Sequence, residues 1–447
     1  MTKWLTPLTS LGAVTLMFSL FGQSTFSPSP SPAKDPGVRP NPAGAGSPLR
    51  DLTLNQKLYF DAGLEAFSEV DSVQGTIANT EAGLGPTFNL DSCAGCHAHP
   101  AIGGTSPFVN PQIEVAHKAG ALNRIPSFIT QNGPVREARF QFNPDGSRDG
   151  GVHGLFTIAG RTDAPGCTLQ QPDFAAAVAA RNVVFRIPTP LFGSGLIEAI
   201  SETTILNNKN DDRFQKQNLG ISGRENRNGN DGTITRFGWK AQNKSLMLFA
   251  GEAYNVEQGI TNEIFPHDRS EAPGCRYMAD PESEGDMDAR TAVDGANDLV
   301  LFSIFMRFLA PPTPAPATTS TSNGRSLFSS IGCALCHTPS LQTGRSATVA
   351  LNNKTANLFS DLLLHNMGSG LADDVNQGVA TGSEFRTAPL WGLGQRIFFL
   401  HDGRTKDLLE AIRAHASTGS EASRVIGNFN GLPESQKQDI LNFLRSL

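Results

Sequence analysis

Two pentapeptides constrain this chain more than any other feature: Cys93-Ala94-Gly95-Cys96-His97 and Cys333-Ala334-Leu335-Cys336-His337. In each, two cysteines stand two residues apart and a histidine follows directly. That spacing lets the thiols form thioethers to the two vinyl groups of a haem while the histidine supplies a nitrogen to its iron. Zinc is the first rival, but the two halves of a zinc ribbon lie roughly 15–20 residues apart, and here about 240 residues separate them. A redox-active dithiol is the second rival, and it gives no reason for a histidine after both pairs. Two covalent c-type haems are therefore the expectation, on Cys93, Cys96 and His97 and on Cys333, Cys336 and His337.

The other two of the six cysteines, Cys167 and Cys275, both end an Ala-Pro-Gly-Cys string. A disulfide between them suits an oxidising compartment. Export is consistent with the N-terminus, where Lys3 precedes an apolar run from Leu11 to Phe21 that resembles a signal peptide over residues 1–25. The run lacks a clean small-x-small cleavage site, which leaves a retained anchor open, and membrane contact is expected only in that case. A periplasmic or otherwise exported location follows, because c-type attachment is completed outside the cytoplasm. Hydrophobic residues at 38% and charged residues at 17% describe a globular chain. A formal charge of −6 gives no reason to expect nucleic acid as a partner.

Composition then divides the chain. Residues 26–49 are rich in Pro, Ser, Gly and Ala and read as an extended linker. A helical pattern follows, with Leu54, Leu58, Ala62, Leu64 and Phe67 on one face. Between about 105 and 290 the chain is loop-rich. Asn226, Asn228, Asn230 and Asp231, like Asn143, Asp145, Ser147 and Asp149, resemble calcium loops, but neither has the EF-hand spacing, so ordinary turns are the better reading and calcium a weak one. An apolar helix from Asp298 to Leu309 stops at Pro311-Pro312. Residues 311–323 form a Pro/Thr-rich linker, after which a helical stretch from Arg325 to Ile331 leads into the second pentapeptide. The string Phe305-Met306-Arg307-Phe308-Leu309 echoes Asn442-Phe443-Leu444-Arg445-Ser446-Leu447. The expected fold is mainly α with long irregular loops. It comprises two cytochrome-c-like domains at 50–310 and 324–447, the first with a large insertion.

With these strings in view, residues 50–447 resemble the bacterial di-haem cytochrome c peroxidases, in particular their di-haem oxidoreductase branch. Beside the pentapeptides, the resemblance rests on Leu364-His365-Asn366-Met367-Gly368, Phe385-Arg386-Thr387-Ala388-Pro389-Leu390 and Phe399-Leu400-His401-Asp402-Gly403-Arg404. In that family one haem keeps an open face for peroxide and the other relays electrons. The resemblance places a tryptophan between the haems at Trp239 and a carboxylate over the open haem at Glu257, with Glu198 as the competitor. The family's glutamine between them falls near Phe249, which leaves that amide missing. Where relatives carry methionine this chain has Leu400, so His401 is expected as second ligand of the C-terminal haem, ahead of Met367 and His365. His99, His117 and His153 are expected in surface or turn positions.

The resemblance implies an exported di-haem oxidoreductase that reduces hydrogen peroxide with electrons from a small donor such as a cytochrome c or cupredoxin. A di-haem enzyme acting on an organic or protein substrate is the alternative of the same class. A non-catalytic electron-transfer cytochrome is the alternative of another class.

Overall fold

The computed structural model describes residues 1–2, 31–40, 42–270 and 272–447. Apart from its first two residues, the expected signal segment lies outside the described residues. Among the described residues no helix is long and apolar enough to cross a membrane.

Six helices frame the molecule: α1 (Leu54–Ser68), α2 (Leu246–Ala253), α3 (Asp298–Phe308), α4 (Thr319–Ser330), α5 (Leu408–Ala414) and α6 (Glu434–Ser446). The first and fourth begin alike. Thr53 accepts from Gln56 N while Gln56 accepts from Thr53 N, and Thr318 and Thr321 exchange the same two bonds, so each helix starts in a reciprocal cap. The cap at Thr318 starts α4 six residues earlier than the sequence pattern suggests, inside the expected 311–323 linker. Thr and Ser there serve the cap and first turn rather than a loose connection.

The two halves repeat one packing unit. Helix α1 crosses α3, and α4 crosses α6. At each crossing a glycine lets the backbones touch: a Cβ on Gly63 would lie 2.4 Å from Leu301 O, and one on Gly324 would lie 2.0 Å from Asp439 O. Four residues later each entry helix carries a phenylalanine wedged between the closing helix and the pentapeptide histidine. Phe67 lies 5.0 Å from Phe305 and 6.0 Å from His97. Phe328 lies 5.5 Å from Phe443 and 6.2 Å from His337. The buried face of α1 is therefore Phe60, Gly63, Ala66 and Phe67. Leu54 and Leu58, expected on that face, are exposed at 73% and 51% because the stripe is set by the glycine crossing.

Outside these units the chain departs from a mainly α description. Most described residues lie in neither helix nor strand, and strands are two to four residues long. The chain carries 45 glycines and 29 prolines, and in the long middle region helices stay short, among them Phe174–Ala179, Glu202–Asn210 and α2. Its most regular part is a small antiparallel sheet of β1 (Glu137–Phe140), β2 (Val152–His153) and β3 (Val183–Arg186), with β1 in the centre. Further on, β4 (Leu364–Asn366) pairs with β5 (Glu384–Arg386). Cys167 and Cys275 are joined by a disulfide, their Cα atoms 4.7 Å apart, tying together two stretches of the insertion 108 residues apart in sequence.

The expected linker at 26–49 is, where described, a strap. Ala33 N donates to Glu434, and Asp35 pairs with Arg445 at 2.6 Å while accepting from Leu408 N. Leu49 N donates to Phe308 O, and Ala310 N to Ser47 O. Its Pro, Gly and Ala residues keep it extended, and an extended backbone can satisfy its polar groups only by bonding to other segments.

Candidate functional site

Two cavities, each opened by one pentapeptide, dominate the interior. Cys93–Cys96 form a single helical turn, and Cys333–Leu335 a tighter one, so both thiols of each pair face the same side. All four cysteines are outside disulfides and line the cavities. His97 Nδ1 is held 3.0 Å from Gly104 O, and His337 Nδ1 3.0 Å from Phe359 O. A carbonyl at Nδ1 fixes the tautomer and leaves Nε2 with its lone pair free, the arrangement that orients a metal-binding imidazole. Burial pulls both pKa values down to about 4, so both rings are neutral at pH 7. Paired thiols, an oriented neutral imidazole and an adjoining cavity lined largely by apolar side chains fit a haem at each site.

The first cavity is polar on one side. Glu257 lies on a widened π-type turn, Tyr254–Gln258, that follows α2 directly, and such turns interrupt regular bonding where a side chain is needed elsewhere. Its carboxylate accepts from Asn89 Nδ2 at 2.7 Å. Beside it lies Glu137, on β1, and the two carboxyl groups share a hydrogen bond. Burial and then the charge of Glu137 push Glu257 well above the usual carboxylate range. Burial opposes ionisation of Glu137 most strongly, but Arg139, with Nε 2.6 Å from the carboxylate, the hydrogen bond with Glu257 and the charge of Arg186 together outweigh it and hold that group below its usual range. The pair is thus driven apart, Glu257 upward and Glu137 downward. Gln242 also lines this cavity, its Oε1 buried without a partner, so an amide is present after all. It comes from the Gly238–Asn243 turn rather than from the Phe249 position. Among the described residues, no histidine other than His97 lines the first cavity.

The remaining candidates sort by contact. Glu198 pairs with Arg307 at 2.7 Å and caps Leu246 N at 2.9 Å, a structural role outside both cavities. His99 Nε2 bonds Gln395 O, His117 is exposed, and His153 pairs with Asp149. The acceptors of the two Asn/Asp loops close their own turns: Asp145 accepts from Ser147, and Asp231 from Thr233 and Lys244. Among the described residues no group of three His, Cys, Asp or Glu side chains is arranged to hold an ion.

The second cavity is mostly apolar and holds several further ligand-type side chains. His365 is excluded as an iron ligand, since Asp361 holds its Nε2 at 2.9 Å and Glu421 its Nδ1 at 2.8 Å. His401 stacks on Phe385 at 4.3 Å and meets Trp239 edge-on at 6.4 Å. After burial, the charges that act on it are Asp402, Asp373, Arg186 and Arg404, of which Arg186 lines the first cavity. Met367 also lines the wall. Sequence reasoning missed His415, at the end of α5. Its Nδ1 lies 2.7 Å from Ala411 O, repeating the tautomer lock of His97 and His337, and after burial it is the strongest influence on the His337 ring. The signal was present, because 408, 411, 412 and 415 form one helical stripe and the last position breaks its apolar character.

Trp239 lines both cavities and donates from Nε1 to Ile187 O at 2.9 Å. It is the aromatic ring common to the two walls.

The family described as "Di-haem oxidoreductase, putative peroxidase" matches residues 136–447, more than two thirds of the chain. No curated protein matches. Among solved structures, the chain is similar to the diheme peroxidase BthA of Burkholderia thailandensis, at 15% identity over 93% of this chain and 94% of that one, with a TM-score of 0.38. A hydrazine synthase of Kuenenia stuttgartiensis gives 12%, 98%, 100% and 0.35 in the same order. A MauG-like protein associated with microbial copper homeostasis gives 16%, 56%, 89% and 0.27.

Proposed function

The chain belongs to the di-haem oxidoreductases and is a peroxidase-like, haem-binding enzyme; from that premise we propose that it is an exported, covalent di-haem peroxidase that reduces hydrogen peroxide in the first cavity. Two cytochrome-c-like domains, 50–310 and 324–447, would each carry one haem, through Cys93, Cys96 and His97 and through Cys333, Cys336 and His337. A haem bound there supplies a redox-active iron. The rest of the chemistry is proton handling and electron delivery, and it falls to the chain's own groups.

The observation that carries this reading is the split carboxyl pair. Cleaving peroxide requires a proton to move from the inner to the outer oxygen, which a carboxyl group within hydrogen-bond reach can perform. Glu257, which burial and the charge of Glu137 push well above the usual carboxylate range, would give its proton to the outer oxygen and recover one from the inner oxygen. Glu137, ionised beside Arg139, takes its place as the hydrogen-bond partner that resets Glu257. Gln242 and Asn89 supply further polar contacts on that wall. The polar wall of Glu257, Glu137 and Gln242 in this cavity favours an enzyme over a pure electron carrier, whose irons would both be closed.

In the second cavity His415, rather than His401, is the proposed second ligand of His337's haem. That would give bis-histidine ligation and a lower potential than a Met/His pair. His401 instead packs between Phe385 and Trp239 on the wall toward the first cavity, and Trp239 is the relay. The electron donor is a small exported redox protein, a cytochrome c or cupredoxin. A spectrum of the half-reduced protein tests the whole. One haem should turn high-spin and bind cyanide or peroxide. Two low-spin haems whose bands ignore both ligands would sink the peroxidase reading.

A further inference from the structure

Buried arginines in this chain usually face an acid. Arg139 pairs with Glu137, Arg161 with Asp163, Arg186 with Asp373 and Arg445 with Asp35. Arg386 and Arg396 do not. They are 8% and 6% exposed, close enough that the charge of Arg396 acts on Arg386, and neither forms an ion pair among the described residues. Arg386, the last residue of β5, donates from Nε to Gly238 O and leaves Nη1 without a partner. Arg396, just after the short turn Leu393–Gln395, leaves both Nε and Nη2 without one. Burial pulls both pKa values down only to about 10, so both side chains stay cationic at pH 7. Two neighbouring buried cations with open donors and no counter-charge are among the least favourable arrangements a core can hold.

Both side chains line the second cavity, and both also line a smaller space that runs from it along Gly238, Trp239 and Phe249 toward the first. The missing partner is therefore an anion placed on that wall. It must offer oxygen acceptors to two planar guanidinium forks, which a pair of carboxylates does best. We infer that Arg386 and Arg396 are the carboxylate clamp of the second cavity, holding the two propionates of the haem on His337. This rests on the two-haem reading above and goes beyond it. Attachment through Cys333 and Cys336 fixes one edge of the ring, and the clamp fixes the other. The Arg396 guanidinium also lies 5.7 Å from the centre of the Trp239 ring. A bare cation there would resist removal of an electron from the indole. A propionate on Arg396 cancels that charge at the relay.

The test uses the holoprotein with Arg386→Gln, Arg396→Gln and Arg396→Lys, after counting haems per chain by pyridine haemochrome. Resonance Raman bands of propionate bending should shift in both glutamine variants. The second haem should become about tenfold harder to reduce in each, ~59 mV for a one-electron couple. R396K, which keeps the charge but loses the fork, should recover most of that potential and still shift the propionate band. If either glutamine variant fails to fold, the R396K band decides alone. Unshifted propionate bands in a protein that carries two haems overturn the clamp. A wild-type chain with fewer than two haems overturns the two-haem reading instead.

Discussion

The two cavities are built on the same plan and differ in what the plan leaves open. Both have a capped entry helix, a glycine crossing, a phenylalanine against the pentapeptide histidine, and a backbone carbonyl on Nδ1. The second cavity is then closed by its own compact half, whose helix α5 brings in His415. The first is walled by Glu137 and Arg139 from the β1–β3 sheet, Gln242 from a turn, and Glu257 from the turn after α2. All of these come from the region that interrupts the repeat. The frame accounts for holding two similar groups, and the insertion accounts for their doing different things.

That contrast can be broken most directly at Glu257. E257Q should lower peroxide turnover by about 10²–10³ with haem content unchanged, the range expected for loss of a positioned acid–base group. Turnover within threefold of wild type would remove Glu257 from the mechanism. In the second cavity, H415A should open the haem of His337, so that its low-spin bands give way to high-spin ones and cyanide binds. H401A should leave those bands in place, and the reverse result would restore His401 as ligand. The shared frame is tested by G324A and G63A, each of which forces a Cβ against a carbonyl oxygen and should cost about 1–3 kcal/mol in denaturant unfolding. Indifference to both would mean the helices have room to part. The smallest effect belongs to Glu198, which lies outside both cavities, and E198Q should leave kcat/KM within about twofold.

What could be read from the sequence was what is local. Each pentapeptide contains its whole chemistry in five residues, so both were evident at once. Resemblance supplied Trp239 and Glu257, and the structure places them on the first cavity wall. Glu137 and Arg139 were missed because charged residues in a loop-rich stretch look solvated, and only strand pairing turns them inward. Their period-two spacing puts them on one face of β1, a faint signal before the sheet is known. The glycine crossings were missed for another reason. Gly63 and Gly324 each stand four residues before a phenylalanine, yet the entry helices share little else, and a glycine in a helix reads as a weakness until its neighbour is seen. The strap was misread because extended, Pro-rich chain looks the same in sequence whether or not it has a surface to lie on.

That strap has a bearing on how the protein is made. Asp35 pairs with Arg445, 410 residues away in sequence, and Ala33 pairs with Glu434. Synthesis proceeds from the N-terminus, so Arg445 is added 410 residues after its partner Asp35. The strap has to wait, undocked, through synthesis of everything between them, and its docking closes a loop of that length. A chain cut short before α6 would leave Asp35 without its arginine, so this contact can serve as an inspection that is passed only once both segments have been made.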